Sequence, residues 1–188
     1  MDKVSLTYFV DFVLASGTPK LTVVRQFKTR DDYAPQADFY KKLREGIVSF
    51  HAKGRPPSFL DGLLSGLADA KKAKAYPPLL AAYKKFLGKK GHSWLQPPQG
   101  TWSSGGMDIT LNPELGLKIK GQPTIIKLYF KETKLTKRRS DIVTHLLARE
   151  LGPKGPRVNK SIGCSRAQIQ LSDRRGEWFR SVGPAVVT

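Results

Sequence analysis

A single cysteine, Cys164, stands in a chain of 188 residues. That excludes an intramolecular disulfide framework and a multi-cysteine zinc site. Histidine is also scarce: His51, His92 and His145 lie far apart, without the spacing of metal ligands. No long hydrophobic run is present. The apolar stretch from Tyr8 to Ala15 is interrupted by Asp11, which makes it too short and too charged to cross a membrane. It also lacks a small-residue cleavage site after a basic start, so a cytoplasmic chain with no membrane partner is expected. Zinc-finger spacing, an RNP-type aromatic motif and a Walker-type glycine loop are all missing. Cys164 has Ser165 and Arg166 beside it but no identifiable base, and His145 is expected to form a solvated pair with Asp141. Nucleophilic catalysis therefore has no candidate centre.

Acid is the other shortage. Fifteen Asp and Glu face 33 Lys and Arg, a formal charge of +18. A field of one sign and that strength attracts polyanions, at some cost in self-repulsion. Nucleic acid is the expected partner, with an acidic protein or an anionic membrane surface as the alternatives. The hydrophobic fraction of 39% is enough to bury a core.

The pattern divides the chain into a helical region, 1–90, an α/β region, 91–182, and a frayed tail, 183–188. Residues 5–16 read as a helix capped by Ser5 and stopped by Gly17, with Leu6, Phe9, Val10 and Val13 on one face. Lys20 to Thr29 is a strand or a short helix, and periodicity does not decide. Residues 36–53 carry the stripe Phe39, Leu43, Ile47 and Phe50, ended by Gly54. Phe59 to Ala68 and the stretch up to Phe86 continue the helical pattern, with a restart expected at Pro77 and Pro78. Residues 88–106 are rich in glycine and proline and read as loop. Strands follow at Met107–Leu111, Leu115–Ile119 and Thr124–Phe130, the last two joined by a tight turn at Lys120-Gly121-Gln122. A helix over 140–151, capped by Ser140, buries Ile142, Val143, Leu146 and Leu147. A strand at Ala167–Leu171 comes next, and Trp178-Phe179 is expected to add a short edge strand.

The expected class is thus α+β, a helical first half followed by an α-β-β-β-α-β three-layer core with a small mixed sheet. This order, together with Asn112-Pro113-Glu114-Leu115-Gly116-Leu117 and Thr124-Ile125-Ile126-Lys127-Leu128-Tyr129-Phe130-Lys131, resembles the restriction-endonuclease-like core of the PD-(D/E)XK nuclease superfamily over about residues 100–180. The stretch also resembles uncharacterised bacterial proteins of this general type. In that superfamily an acidic residue opens the second strand of a meander, and a carboxylate and a lysine two apart lie on the third. The resemblance implies a magnesium-dependent phosphodiester chemistry in which carboxylates hold the metal and a lysine assists. Glu114, Asp108 and Lys127 are the residues that would carry it. The third strand departs from the pattern: Ile125, Lys127, Tyr129 and Lys131 share one face, with no carboxylate among them.

That Lys-x-Tyr-x-Lys face is a candidate surface for a nucleic-acid backbone, extended by Lys118 and Lys120 on the neighbouring strand. Lys134, Lys137, Arg138 and Arg139 lead into the expected helix start at Ser140, where free amides and a positive dipole end suit phosphate. Lys89 and Lys90, and Arg174 and Arg175, are further candidates. Three functions follow from these residues: a nucleic-acid-binding subunit of a bacterial processing or defence complex that has lost its metal site, needing no cofactor; an active magnesium nuclease with rearranged carboxylates; or a basic scaffold for an acidic protein or ribonucleoprotein.

Overall fold

The computed structural model describes residues 2–29, 38–88, 91–130, 135–154 and 167–171. A short strand, β1 (Asp2–Ser5), precedes the first helix, α1 (Leu6–Leu14), and Ser5 caps that helix by accepting the Tyr8 amide at 3.3 Å. Gly17 turns the chain at φ +59, a value that suits glycine, into a second helix, α2 (Thr18–Lys28). The ambiguous segment is therefore helical. Pro19 is preset for a first turn, and Tyr8 fixes α2 through a 2.8 Å hydrogen bond to the Val23 carbonyl and a ring contact with Phe27 at 5.6 Å.

Helix α3 (Lys41–Ala52) begins later than expected, because the Asp38 carboxylate accepts the Tyr40 amide and pairs with Arg44 to shape the lead-in. Leu43, Ile47 and Phe50 of its stripe are buried. A short helix, α4 (Ser58–Gly62), follows. Helix α5 (Ala70–Leu87) then runs through Pro77 and Pro78, where a restart was expected. Each proline removes one amide donor, which leaves the carbonyls of Ala73 and Lys74 without helical partners. Both residues lie on the exposed side, so water can satisfy them, while Tyr76, Leu79, Leu80 and Tyr83 hold the other side in the core.

The stretch read as loop contains two strands, β2 (His92–Leu95) and β3 (Gly100–Ser104). Both are short and half exposed, so cross-strand pairing decides them and local pattern does not. Next come β4 (Met107–Leu111), β5 (Leu115–Ile119) and β6 (Gln122–Tyr129). Lys120 and Gly121 form the β5–β6 turn at φ 51 and 81, the pair of positive values that a two-residue hairpin uses. Helix α6 (Lys137–Leu151) starts a turn earlier than expected. Thr136 caps it, and Ser140 is buried within its first turns. Strand β7 (Ala167–Leu171) closes the described chain. The expected edge strand at Trp178-Phe179 and the tail 183–188 lie outside the described residues.

The strands form two sheets, in the orders β1-β4-β3 and β2-β5-β6-β7. The expected meander is thereby corrected: Met107–Leu111 pairs with β3 and β1, while β2 is the antiparallel neighbour of β5. Gly105 and Gly106, both at positive φ, turn β3 back on β4, and Pro113 separates β4 from β5. In the second sheet β5 and β6 are antiparallel, and α6 carries the chain over to β7, parallel to β6. Gly116 is required where β2 meets β5, since a Cβ there would collide with the Leu95 carbonyl.

Alternation along β6 sends its side chains into two cores. Ile126 and Leu128, with Leu115 and Leu117, pack against α3 and α5. Ile125 and Tyr129 pack with Leu6 and Val10 of α1, Val143, Leu146 and Leu147 of α6, and Ile109 and Leu111 of β4. The architecture is α+β, with helices on both faces of the four-stranded sheet and both cores drawing on residues from 1–90 and 91–182 alike.

Candidate nucleic-acid interface

The third-strand face expected to lie open is an interior one. Tyr129 is 9% exposed and belongs to the second core. Lys127 and Glu114 are each 13% exposed and pair at 2.6 Å. The Lys127 ammonium also donates to the Asn112 carbonyl at 3.0 Å, and the second oxygen of Glu114 accepts the Leu128 amide at 2.7 Å. The pair forms because Glu114 immediately precedes β5, beside the strand that holds Lys127. Helices α1 and α6 cover this face, which is why alternation alone misplaced it on the surface.

The start of α6 is bound into the fold in a similar way. Arg139 pairs with Asp11 of α1 and its guanidinium lies 5.9 Å from the Tyr129 ring centre. Lys137 pairs with Asp141 one turn on, at 2.7 Å. That takes Asp141 from the partner expected for it, and His145 is exposed. Arg138 is exposed, while Ser140 is buried and is not the cap. Lys127, Tyr129 and Arg139 line a narrow cleft with Leu6, Val10, Leu135 and Val143. Glu114 and Asp11 offset its two cations.

Asp108 does not join Glu114. It sits on β4 in the other sheet and accepts a hydrogen bond from Ser103 of β3 at 2.6 Å. Among the described residues no three of His, Cys, Asp and Glu gather to hold a metal ion. Ile125 occupies the strand position two before Lys127, with its side chain in the core.

The open cations are elsewhere. Lys118 and Lys120 on the β5–β6 hairpin are exposed. On α5, Lys71, Lys74 and Lys85 are exposed with no acidic partner among the described residues, whereas Lys84 pairs with Asp61. Lys71 and Lys74 escaped the sequence reading because they sit inside a helical pattern, and only burial of the opposite side shows which way they face. Lys89, Lys90, Lys131, Lys134, Arg174 and Arg175 lie outside the described residues.

The fold also joins two histidines that are distant in sequence. His51 of α3 is buried, hydrogen-bonded through Nε2 to the Tyr83 hydroxyl of α5 at 2.6 Å, with the His92 ring 4.8 Å away. Burial, aided by the nearby His92, lowers the His51 pKa to about 4. Burial raises that of Tyr83. Both groups are neutral at pH 7, which suits a core hydrogen bond. The position of His51 beside Phe50 on an apolar stripe is the signal that would have placed it inside.

No helix among the described residues is long and apolar enough to cross a membrane. No protein-family model, curated protein or solved structure matches the chain.

Proposed function

We propose that this protein binds nucleic acid through the phosphate backbone, on a core of the PD-(D/E)XK type whose metal site is reduced to one ion pair. The observation that carries the reading is the excess of positive charge, +18 over the chain, with exposed lysines that no described acid offsets. Phosphate neutralisation by such cations releases counterions and supplies most of the affinity of a backbone-reading protein.

The core reading is supported by strand order. With β2 as the first strand, the sheet runs β2-β5-β6-β7, antiparallel through β6 and then parallel after the α6 crossover. Glu114 immediately precedes the second strand and Lys127 lies on the third. Ile125 replaces the carboxylate that the superfamily places two residues before the lysine. Both oxygens of Glu114 are already engaged, by Lys127 and by a backbone amide, leaving a poor ligand set for magnesium.

One experiment separates this reading from its rivals. Double-stranded DNA, single-stranded DNA and RNA are titrated at two salt concentrations in the presence of Mg²⁺, and the integrity of each is then checked on a gel. The expected outcome is binding that weakens steeply with salt and leaves the nucleic acid intact. Cleavage that disappears in Glu114→Ala would make the protein an active nuclease with rearranged carboxylates. Weak binding to all three alike would redirect the charge to an acidic protein partner.

A further inference from the structure

The exposed side of α5 is a candidate docking surface separate from the β6 face and the start of α6. Lys71, Lys74, Pro78, Ala81 and Lys85 are all exposed. Their spacing of three and four residues places them in one stripe along the helix. Lys71, Lys74 and Lys85 have no acidic partner among the described residues, and the helix itself, Ala70–Leu87, contains no Asp or Glu. The one acid at its start, Asp69, is used as the cap, accepting the amides of Lys71 and Lys72.

Two properties of the stripe suggest its ligand. First, Lys71, Lys72 and Lys74 lie at the N-terminal end of the helix, where the macrodipole disfavours cations. A helix that only needed a solvated face would be more stable with acids there. Second, the stripe carries no aromatic ring, so it offers nothing for unpaired bases to stack on. Lys71 and Lys74 stand at one end and Lys85 at the other, about 16 to 21 Å apart at 1.5 Å per residue, with the small Pro78 and Ala81 between them. That separation exceeds the width of the B-DNA major groove, about 12 Å. The deep, narrow major groove of an RNA duplex would not admit the helix.

The geometry points to α5 as the element that binds B-form DNA, its middle facing the major groove, with Lys71 and Lys74 contacting the phosphate wall on one side and Lys85 that on the other. This rests on the nucleic-acid reading above and names the surface and the ligand for it. Each phosphate contact contributes about 0.9 to the slope of log affinity against log salt, close to tenfold in affinity at about 0.1 M salt.

The test is a fluorescence-anisotropy titration of the full chain against a DNA duplex, an RNA duplex and single-stranded DNA over a range of NaCl. The variant Lys71→Gln/Lys74→Gln/Lys85→Gln is compared with a control that removes equal charge from other exposed sites, Lys3→Gln/Lys28→Gln/Lys53→Gln. Circular dichroism verifies that both are folded. The expected result is a preference for the DNA duplex, a loss of about 500-fold at about 0.1 M salt in the α5 variant, and a salt slope reduced by about 2.7, with a much smaller loss in the control. Equal losses in the two variants, an unaffected α5 variant, or a preference for the RNA duplex or the single strand would overturn the α5 assignment while leaving nucleic-acid binding intact. Failure of the unmodified protein to bind any of the three would overturn the underlying reading as well.

Discussion

At the scale of single residues, burial changes the chemistry that residue type suggests. Lys127 looked like a phosphate contact, yet its ammonium is held between Glu114 and the Asn112 carbonyl beneath two helices. Removing one partner of such a pair would leave the other charge poorly solvated, so the pair belongs to folding before it belongs to ligand binding. His51 makes a similar point. Its folded pKa of about 4 lies below the ordinary 6.5, so the unfolded chain binds the proton more readily between those values. Stability is therefore undiminished by His51 above pH 6.5 and falls as the pH drops towards 4, by at most about 1.4 kcal/mol per pH unit for one proton. Tyr83→Phe removes the hydroxyl that meets His51 Nε2 and leaves a buried nitrogen without that partner. We expect a loss of about 1–3 kcal/mol, read from urea unfolding at pH 7.5. A change below about 0.5 kcal/mol would mean that water replaces the hydroxyl.

At the scale of elements, α5 is assembled against its own local preferences. It contains two interior prolines and opens with cations at its positive end. Tertiary contacts compensate: the Tyr76 hydroxyl donates to the Phe39 carbonyl at 2.6 Å, Tyr83 meets His51, and Leu79 and Leu80 are buried. Lys71→Glu at the second helical position should raise stability by about 0.3–1 kcal/mol at low salt, because it reverses an unfavourable charge–dipole contact. The same substitution should weaken DNA binding. Thermal melts and anisotropy on the one variant would show opposite signs if α5 trades stability for a ligand; a drop in both would mean Lys71 is needed by the fold.

At the scale of the whole molecule, the +18 charge acts in two directions. Self-repulsion destabilises the compact state, and salt screens it, with a Debye length of about 10 Å at 0.1 M. Melting temperature should therefore rise with NaCl between low salt and about 0.3 M, while DNA affinity falls over the same range. Scanning fluorimetry with and without duplex DNA measures both, and bound DNA should raise the melting temperature most at low salt. A melting temperature that is flat or falling with salt would show that local ion pairs, such as Arg139–Asp11, outweigh the net repulsion.

The α+β class, the apolar stripes of α1, α3 and α6 and the β5–β6 hairpin could be read from the sequence, because each depends on spacing over a few residues. The helical period places Leu43, Ile47 and Phe50 together, and Lys120-Gly121 turns by its own backbone preference. Tertiary structure alone decided which strands pair. β2 and β3 are too short and too half-buried to announce themselves, and β4 matches β5 in pattern while belonging to another sheet. It also decided which side of a pattern faces water. Alternation gives two faces to β6 but cannot tell that helices cover both, so Lys127 and Tyr129 went inside, while Lys118 and Lys120 stayed exposed and were joined by Lys71, Lys74 and Lys85 on the far side of a helix. Local periodicity determines which residues share a face; only the packing of distant segments determines what that face meets.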